Sequence, residues 1–128
     1  MSSGGPDNSN KPTPTLDAVC GKLGIGSIKR HMFICIGPKC VSESEGLATW
    51  DWLKKRLAEP DMKGFGVYRT KVGCLRVCQK GPIALVYPEG TWYRDADQSG
   101  CAKIVEQHLK QGVPVDELCF ATGPLPKI

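Results

Sequence analysis

The sequence predicts an α/β fold: a central mixed sheet of about four strands with two main helices. Three observations predict it. Between Arg30 and Val72 a strand-length apolar run, a helix-length amphipathic segment and a second strand-length run follow one another, which is the pattern of a parallel crossover. Two more short runs flank Pro88-Glu89-Gly90 and read as a tight hairpin. A final amphipathic segment ends at Gly112 and Pro114, residues that stop a helix. At 128 residues the chain is sized for one small domain. Composition divides it into a tail over residues 1–27, disordered or loosely packed, a folded domain over 28–120 and a short C-terminal tail over 121–128.

Residues 1–15 are mostly Ser, Gly, Asn, Pro and Thr, too polar to offset the entropy of ordering by burial. Leu16 to Lys29 is mixed and rich in glycine, and is expected to pack loosely. The first strand spans Arg30 to Ile36, where Met32, Phe33, Ile34 and Ile36 make the near-continuous apolar run of a sheet covered on both faces. Gly37 and Pro38 break it. Ser42-Glu43-Ser44-Glu45 is a capping box, so a helix starts there. Leu47, Trp50, Leu53 and Leu57 give it one apolar face, and Lys54, Lys55 and Arg56 suit the C-terminal end of its dipole. It stops before Pro60, with Trp50 and Trp52 at the core and its flank. Val67 to Val72 forms the second strand, Ile83 to Tyr87 and Thr91 to Arg94 the hairpin, and Ser99 to Gln111 the last helix, with Cys101, Ile104, Val105 and His108 facing the core. Val115 to Ile128 reads as an irregular tail.

Charge and hydropathy exclude several classes. No stretch approaches the ~20 apolar residues of a membrane span. Met1 to Asp7 shows neither the basic nor the apolar region of a secretory signal. A reducing, cytoplasmic location is therefore expected, where the seven cysteines point to metal ligands and buried thiols rather than disulfides. Seventeen Lys and Arg stand against 13 Asp and Glu, without a long basic run, so nothing supports nucleic-acid binding.

The chemistry lies in two cysteine pairs. Cys35 and Cys40 have four residues between them, Cys74 and Cys78 have three, and each pair follows one strand of the crossover. Parallel strands end at one edge of a sheet, so four thiols converge from two loops and make one metal site. Structural zinc and an iron-sulfur cluster both accept four thiolates. Thiol-disulfide exchange is disfavoured, because no Cys-x-x-Cys is present. The loops also hold no acid/base residue and no phosphate-binding glycine run, which suits electron storage rather than turnover. Cys20, Cys101, Cys119, His31 and His108 read as bystanders. Lys39, Lys71, Arg76 and Lys80 flank the pairs and are placed to stabilise a reduced centre or meet an acidic partner. Leu75, Val77 and Ile36 would shield it from water.

With Met32-Phe33-Ile34-Cys35, Cys35-x4-Cys40, Cys74-x3-Cys78 and the following stretch from Gly81 to Tyr93, the chain resembles the thioredoxin-like [2Fe-2S] ferredoxins from about Arg30 to Leu118. The resemblance implies a thioredoxin-like fold and a [2Fe-2S] cluster on Cys35, Cys40, Cys74 and Cys78. It also implies one-electron transfer between redox partner proteins without catalysis, and a cis bond at Gly81-Pro82. The family includes free carriers and the small iron-sulfur subunit of NADH dehydrogenases and hydrogenases. The four-residue gap between Cys35 and Cys40 looks like the subunit pattern, whereas the short polar N-terminal tail favours a free carrier. A homodimer is compatible with Trp92 and Tyr93 on an edge hairpin.

Overall fold

The structure, a computed structural model, describes residues 13–123. The tails expected over residues 1–12 and 124–128 lie outside the described residues. From the N-terminal side, Thr15 accepts a hydrogen bond from the Ala18 amide and caps helix α1, Leu16–Leu23. A 3-10 turn, Ile25–Ser27, follows. The segment is helical and buries no side chain: Leu16, Val19, Leu23 and Ile25 all remain exposed. Its capping bond and local amides hold it, not a core.

Strand β1, Arg30–Cys35, leads through the first cysteine loop to α2, Glu43–Leu57. The expected cap forms, with the Glu45 amide donating to Ser42 Oγ at 3.3 Å and the Ser42 hydroxyl donating to the Glu45 carboxylate at 2.8 Å. A 3-10 turn at Pro60–Met62 ends the crossover before β2, Val67–Val72. β1 and β2 pair in parallel, with Arg30 opposite Val67 and Cys35 opposite Val72. Strands β3, Ala84–Tyr87, and β4, Thr91–Tyr93, form the hairpin, and β3 runs antiparallel to β1. Helix α3, Gln98–Lys103, continues into a π-helical segment, Ile104–Leu109.

One strand more than expected completes the sheet. Cys119–Thr122, read from sequence as tail, is β5 and pairs antiparallel with β4, giving the order β2-β1-β3-β4-β5. The hairpin is consequently interior and Tyr93 is fully buried, so an interface through Tyr93 is ruled out. Trp92 stays half-buried beside Phe120.

Both main helices cover the same face. Met32 and Ile34 of β1 join Val86, Leu53 of α2 and Cys101, Ile104, Val105 and Leu109 of the last helix in one core. Side chains alternate along a strand, so His31 and Phe33 lie on the other face, where they are half-buried and stacked on each other 4.2 Å apart. The apolar run in β1 therefore reflects one dry face and one aromatic face, and not a sheet covered twice. Trp50 and Trp52 pack against the core edge as expected.

Candidate metal centre

Two loops meet at the carboxyl ends of β1 and β2. β1 extends past its last ladder position, since the Cys35 amide donates to the Ile83 carbonyl and the Ile36 amide to the Val72 carbonyl, both at 2.9 Å. Gly37 then turns the chain, its carbonyl accepting from the Cys40 and Val41 amides at 3.2 Å. That turn brings Cys40 back to Cys35, with their Sγ atoms 2.6 Å apart. In the second loop the Cys74 and Cys78 Sγ atoms are 4.0 Å apart. Arg76 between them takes a left-handed backbone, φ 72°, and its amide donates to Cys74 Sγ at 3.2 Å.

The loops interlock. Cys35 Sγ lies 3.8 Å from the Gly73 carbonyl and Cys40 Sγ 3.7 Å from that of Val77. A Cβ on Gly37 would stand 1.7 Å from the Gly73 oxygen, and one on Gly81 would stand 2.2 Å from the Cys40 oxygen. Glycine at both places lets the backbones close around the sulfurs. The Gly81-Pro82 bond is cis, as the resemblance implied, and so is Tyr87-Pro88, which nothing in the sequence signalled.

Burial pushes the Cys40 thiol up to about 12, helped by its hydrogen bond with Cys35 and by the charges of Cys35, Cys78 and Cys74. Cys35 is buried and Cys40 partly so, whereas Cys74 and Cys78 are exposed. The site is open on the side of the second loop. Leu75, Val77 and Ile36 are half-buried around it. Among the described residues, no three His, Cys, Asp or Glu side chains close on a point that would hold a single ion. A donor set of four thiols from two interlocked loops, with glycines clearing the space, fits a sulfur-ligated cluster.

Cys101 and His108 face the core, as their place on the last helix predicts, whereas His31 is half-buried rather than a surface histidine and Cys119 lies in a strand rather than a tail. The buried Cys101 donates to the Ala96 carbonyl at 3.3 Å and is pushed up to about 12 by burial. His108 is fully buried, its Nδ1 2.7 Å from Tyr93 Oη and its Nε2 2.9 Å from the Glu89 carboxylate. His31 is 2.7 Å from Thr70 Oγ1. Cys20 and Cys119 sit half-buried in α1 and β5. Of the four flanking cations, Lys71 differs from expectation: with Arg69 it lies over the Trp50 ring, at 5.6 and 3.6 Å. Lys39, Arg76 and Lys80 remain exposed at the loops.

No protein-family model matches the chain. Individual proteins do. A 2Fe-2S ferredoxin of Aquifex aeolicus (strain VF5) is 30% identical over 105 residues, spanning 76% of this chain and 94% of its own length. A 2Fe-2S ferredoxin of Clostridium pasteurianum is 29% identical over 96 residues, 70% of this chain and 94% of its own. Among solved structures, a thioredoxin-like [2Fe-2S] ferredoxin from Aquifex aeolicus superposes with a TM-score of 0.63 at 28% identity, covering 79% of this chain and 98% of that one. Fold, interlocked loops and relatives agree, and the chain belongs to the thioredoxin-like [2Fe-2S] ferredoxin family.

Proposed function

We propose that the protein is a one-electron carrier whose [2Fe-2S] cluster is held by the thiolates of Cys35, Cys40, Cys74 and Cys78. The observation that carries this reading is the meeting of four thiols from two interlocked loops at one edge of the sheet. When bound, such a cluster supplies reversible uptake of a single electron. The chain does the rest. Its loops pre-position the sulfurs, the Arg76 amide donates to Cys74, and the half-buried Leu75, Val77 and Ile36 limit water at the site.

The loops hold no acid/base pair that would turn over a substrate, so the protein serves donor and acceptor proteins rather than catalysing a reaction. The 2Fe-2S names of its relatives leave the zinc alternative without support. Membership of a larger NADH dehydrogenase- or hydrogenase-type complex gains nothing from them either, and we place the free carrier first. Among the described residues no helix is long and apolar enough to cross a membrane. A cytoplasmic setting belongs to the same proposal, because metal-ligating thiols are expected in a reducing compartment. We take residues 28–120 as the functional unit, extended to Thr122 by β5, with 1–27 and the residues after Thr122 flanking it. A homodimer built on this hairpin would have Trp92 and Phe120 to use and not Tyr93, which is buried.

Anaerobic purification tests the reading. A reddish-brown protein with about two irons and two acid-labile sulfides per chain, paramagnetic only after one-electron reduction, is expected. A colourless protein with one zinc and no sulfide overturns it.

A further inference from the structure

The charges of this chain are segregated around the cysteine loops. From Lys63 to Pro88, the stretch that carries Cys74 and Cys78, there are five cations and no Asp or Glu, and the loop that carries Cys35 and Cys40 adds Lys39. Arg69 and Lys71 are taken up by Trp50. Lys39, Arg76 and Lys80 are exposed, and among the described residues none lies within ion-pair distance of a carboxylate. Carboxylates border the site on the Cys40 side, where Glu45 and Asp97 line a groove with Cys40, and Asp95 pairs with Arg94. Next to Val77 a groove of about 270 Å³ is bordered by Gln79, Lys80, Arg94 and the exposed Phe120. That groove sets the half-buried Val77 and the exposed Phe120 beside Lys80 and Arg94, and Val77 belongs to the loop whose Cys74 and Cys78 are exposed.

We propose that Lys39, Arg76 and Lys80, the exposed cations of the cysteine loops, form a rim that is the docking face of the carrier and that it takes an acidic face of its redox partner protein. The proposal rests on the electron-carrier reading and names the partner's chemistry. Solvated cations act weakly on a neighbouring centre because water and salt screen them, yet together they attract and orient an approaching anionic surface. The position of the rim brings such a surface to the exposed pair of sulfurs, where an electron has the shortest way out.

Oxidation of the reduced protein by two cobalt(III) complexes tests this: the trianion tris(oxalato)cobaltate(III) and the trication hexaamminecobalt(III), each from about 10 to 300 mM salt. The anionic probe should slow about fivefold or more as salt rises, and the cationic probe should speed up. In the triple variant Lys39→Glu, Arg76→Glu, Lys80→Glu, with its visible spectrum intact and its measured potential used to correct for driving force, the anionic probe should slow about tenfold at low salt and lose its salt dependence. A second triple, Lys22→Glu, Lys54→Glu, Lys55→Glu, makes the same change in net charge on the helices and should alter the rate less than about twofold. Equal effects of the two triples, or a salt-independent wild-type rate, overturn the proposal. Retention on immobilised poly-L-glutamate needs no cluster, so it reads the rim even if the iron and sulfide analysis refutes the carrier. Wild type held and the rim triple released upholds the rim; both held or both released overturns it. Tighter binding to a random 20-base-pair DNA duplex than to poly-L-glutamate would replace the acidic protein with nucleic acid and also overturn it.

Discussion

The Gly73 carbonyl oxygen lies 1.7 Å from the point where a Cβ on Gly37 would stand, so the two cysteine loops touch backbone to backbone. Gly73 itself has open space around its own Cβ position. The contact is one-sided in what it demands. Gly37→Ala must push the loops apart, at a cost of about 3 kcal/mol or more, and the purified variant should carry well under half the iron of the wild type. Gly73→Ala should change stability by less than about 1 kcal/mol and keep its iron. Chemical denaturation with iron analysis on both variants checks the pair.

Replacing any of Cys35, Cys40, Cys74 or Cys78 with Ser should abolish or reshape the visible spectrum. The same change at Cys20 or Cys119 should leave it untouched. Cys101→Ser should also keep the spectrum, while losing about 1 to 2 kcal/mol because its hydroxyl enters the dry core. An unchanged spectrum in all four of the first set would refute the ligand assignment.

The buried His108 predicts an acid-side loss of stability. The Val115 amide donates to Tyr93 Oη at 2.9 Å, which leaves the tyrosine proton for His108 Nδ1 and the Nε2 proton for Glu89. Arg30 holds the other side of that carboxylate at 3.0 Å. Burial holds His108 below its ordinary value against the pull of Glu89, and burial likewise lowers His31. As pH falls through about 6.5 the unfolded chain binds protons that the folded one refuses, so stability declines. Burial works against the Glu89 charge, but its hydrogen bonds from Arg30 and His108 outweigh this and hold it below its ordinary value, which extends the loss as pH drops through about 4.5. His108→Gln should lower Tm at pH 7.5 and flatten its fall between pH 7.5 and 6. A slope equal to the wild type's contradicts a neutral, buried His108.

Arg56 ties three parts of the chain together. Its guanidinium pairs with Glu59 at 2.8 Å, with Asp61 at 2.9 Å and with Glu106 of the last helix, and Lys110 also reaches Asp61 at 2.9 Å. Only 16% of its side-chain surface is exposed. Arg56→Met should cost about 1 kcal/mol, or about 4 °C in Tm, at low salt and clearly less at about 0.5 M salt. A salt-independent loss would make the packing of its stem the whole effect.

Much of this architecture is legible in local chemistry. Ser42 and Glu45 announce α2, Gly37-Pro38 the first loop, Pro88-Glu89-Gly90 the hairpin, and the strand ends show why the cysteine pairs meet. The misses share a cause: they depend on partners distant in the chain. Cys119–Thr122 is too short to show alternation and becomes a strand only by pairing with Thr91 and Trp92. Without β5, Tyr93 looks like an edge residue. The second face of β1 is aromatic because Tyr68 meets His31 edge-on and Tyr87 meets Phe33, contacts between strands that a continuous apolar run does not reveal. Helix α1 carried a readable signal in Thr15 followed by Leu16, Val19 and Leu23, which Gly21 inside it and Gly24 and Gly26 after it obscured. The π-helical turn at Ile104–Leu109 has no sequence signature.

The parallel pairing of β1 with β2 also sets an order of assembly. Cys40 and Cys74 are separated by 33 residues that include all of α2, and nothing local draws them together. During synthesis Cys35 and Cys40 emerge long before their counterparts, and two thiols alone cannot complete a four-sulfur site. On the proposed ligand set the site is complete only once the crossover has closed, so a chain mispaired at β2 should be left colourless.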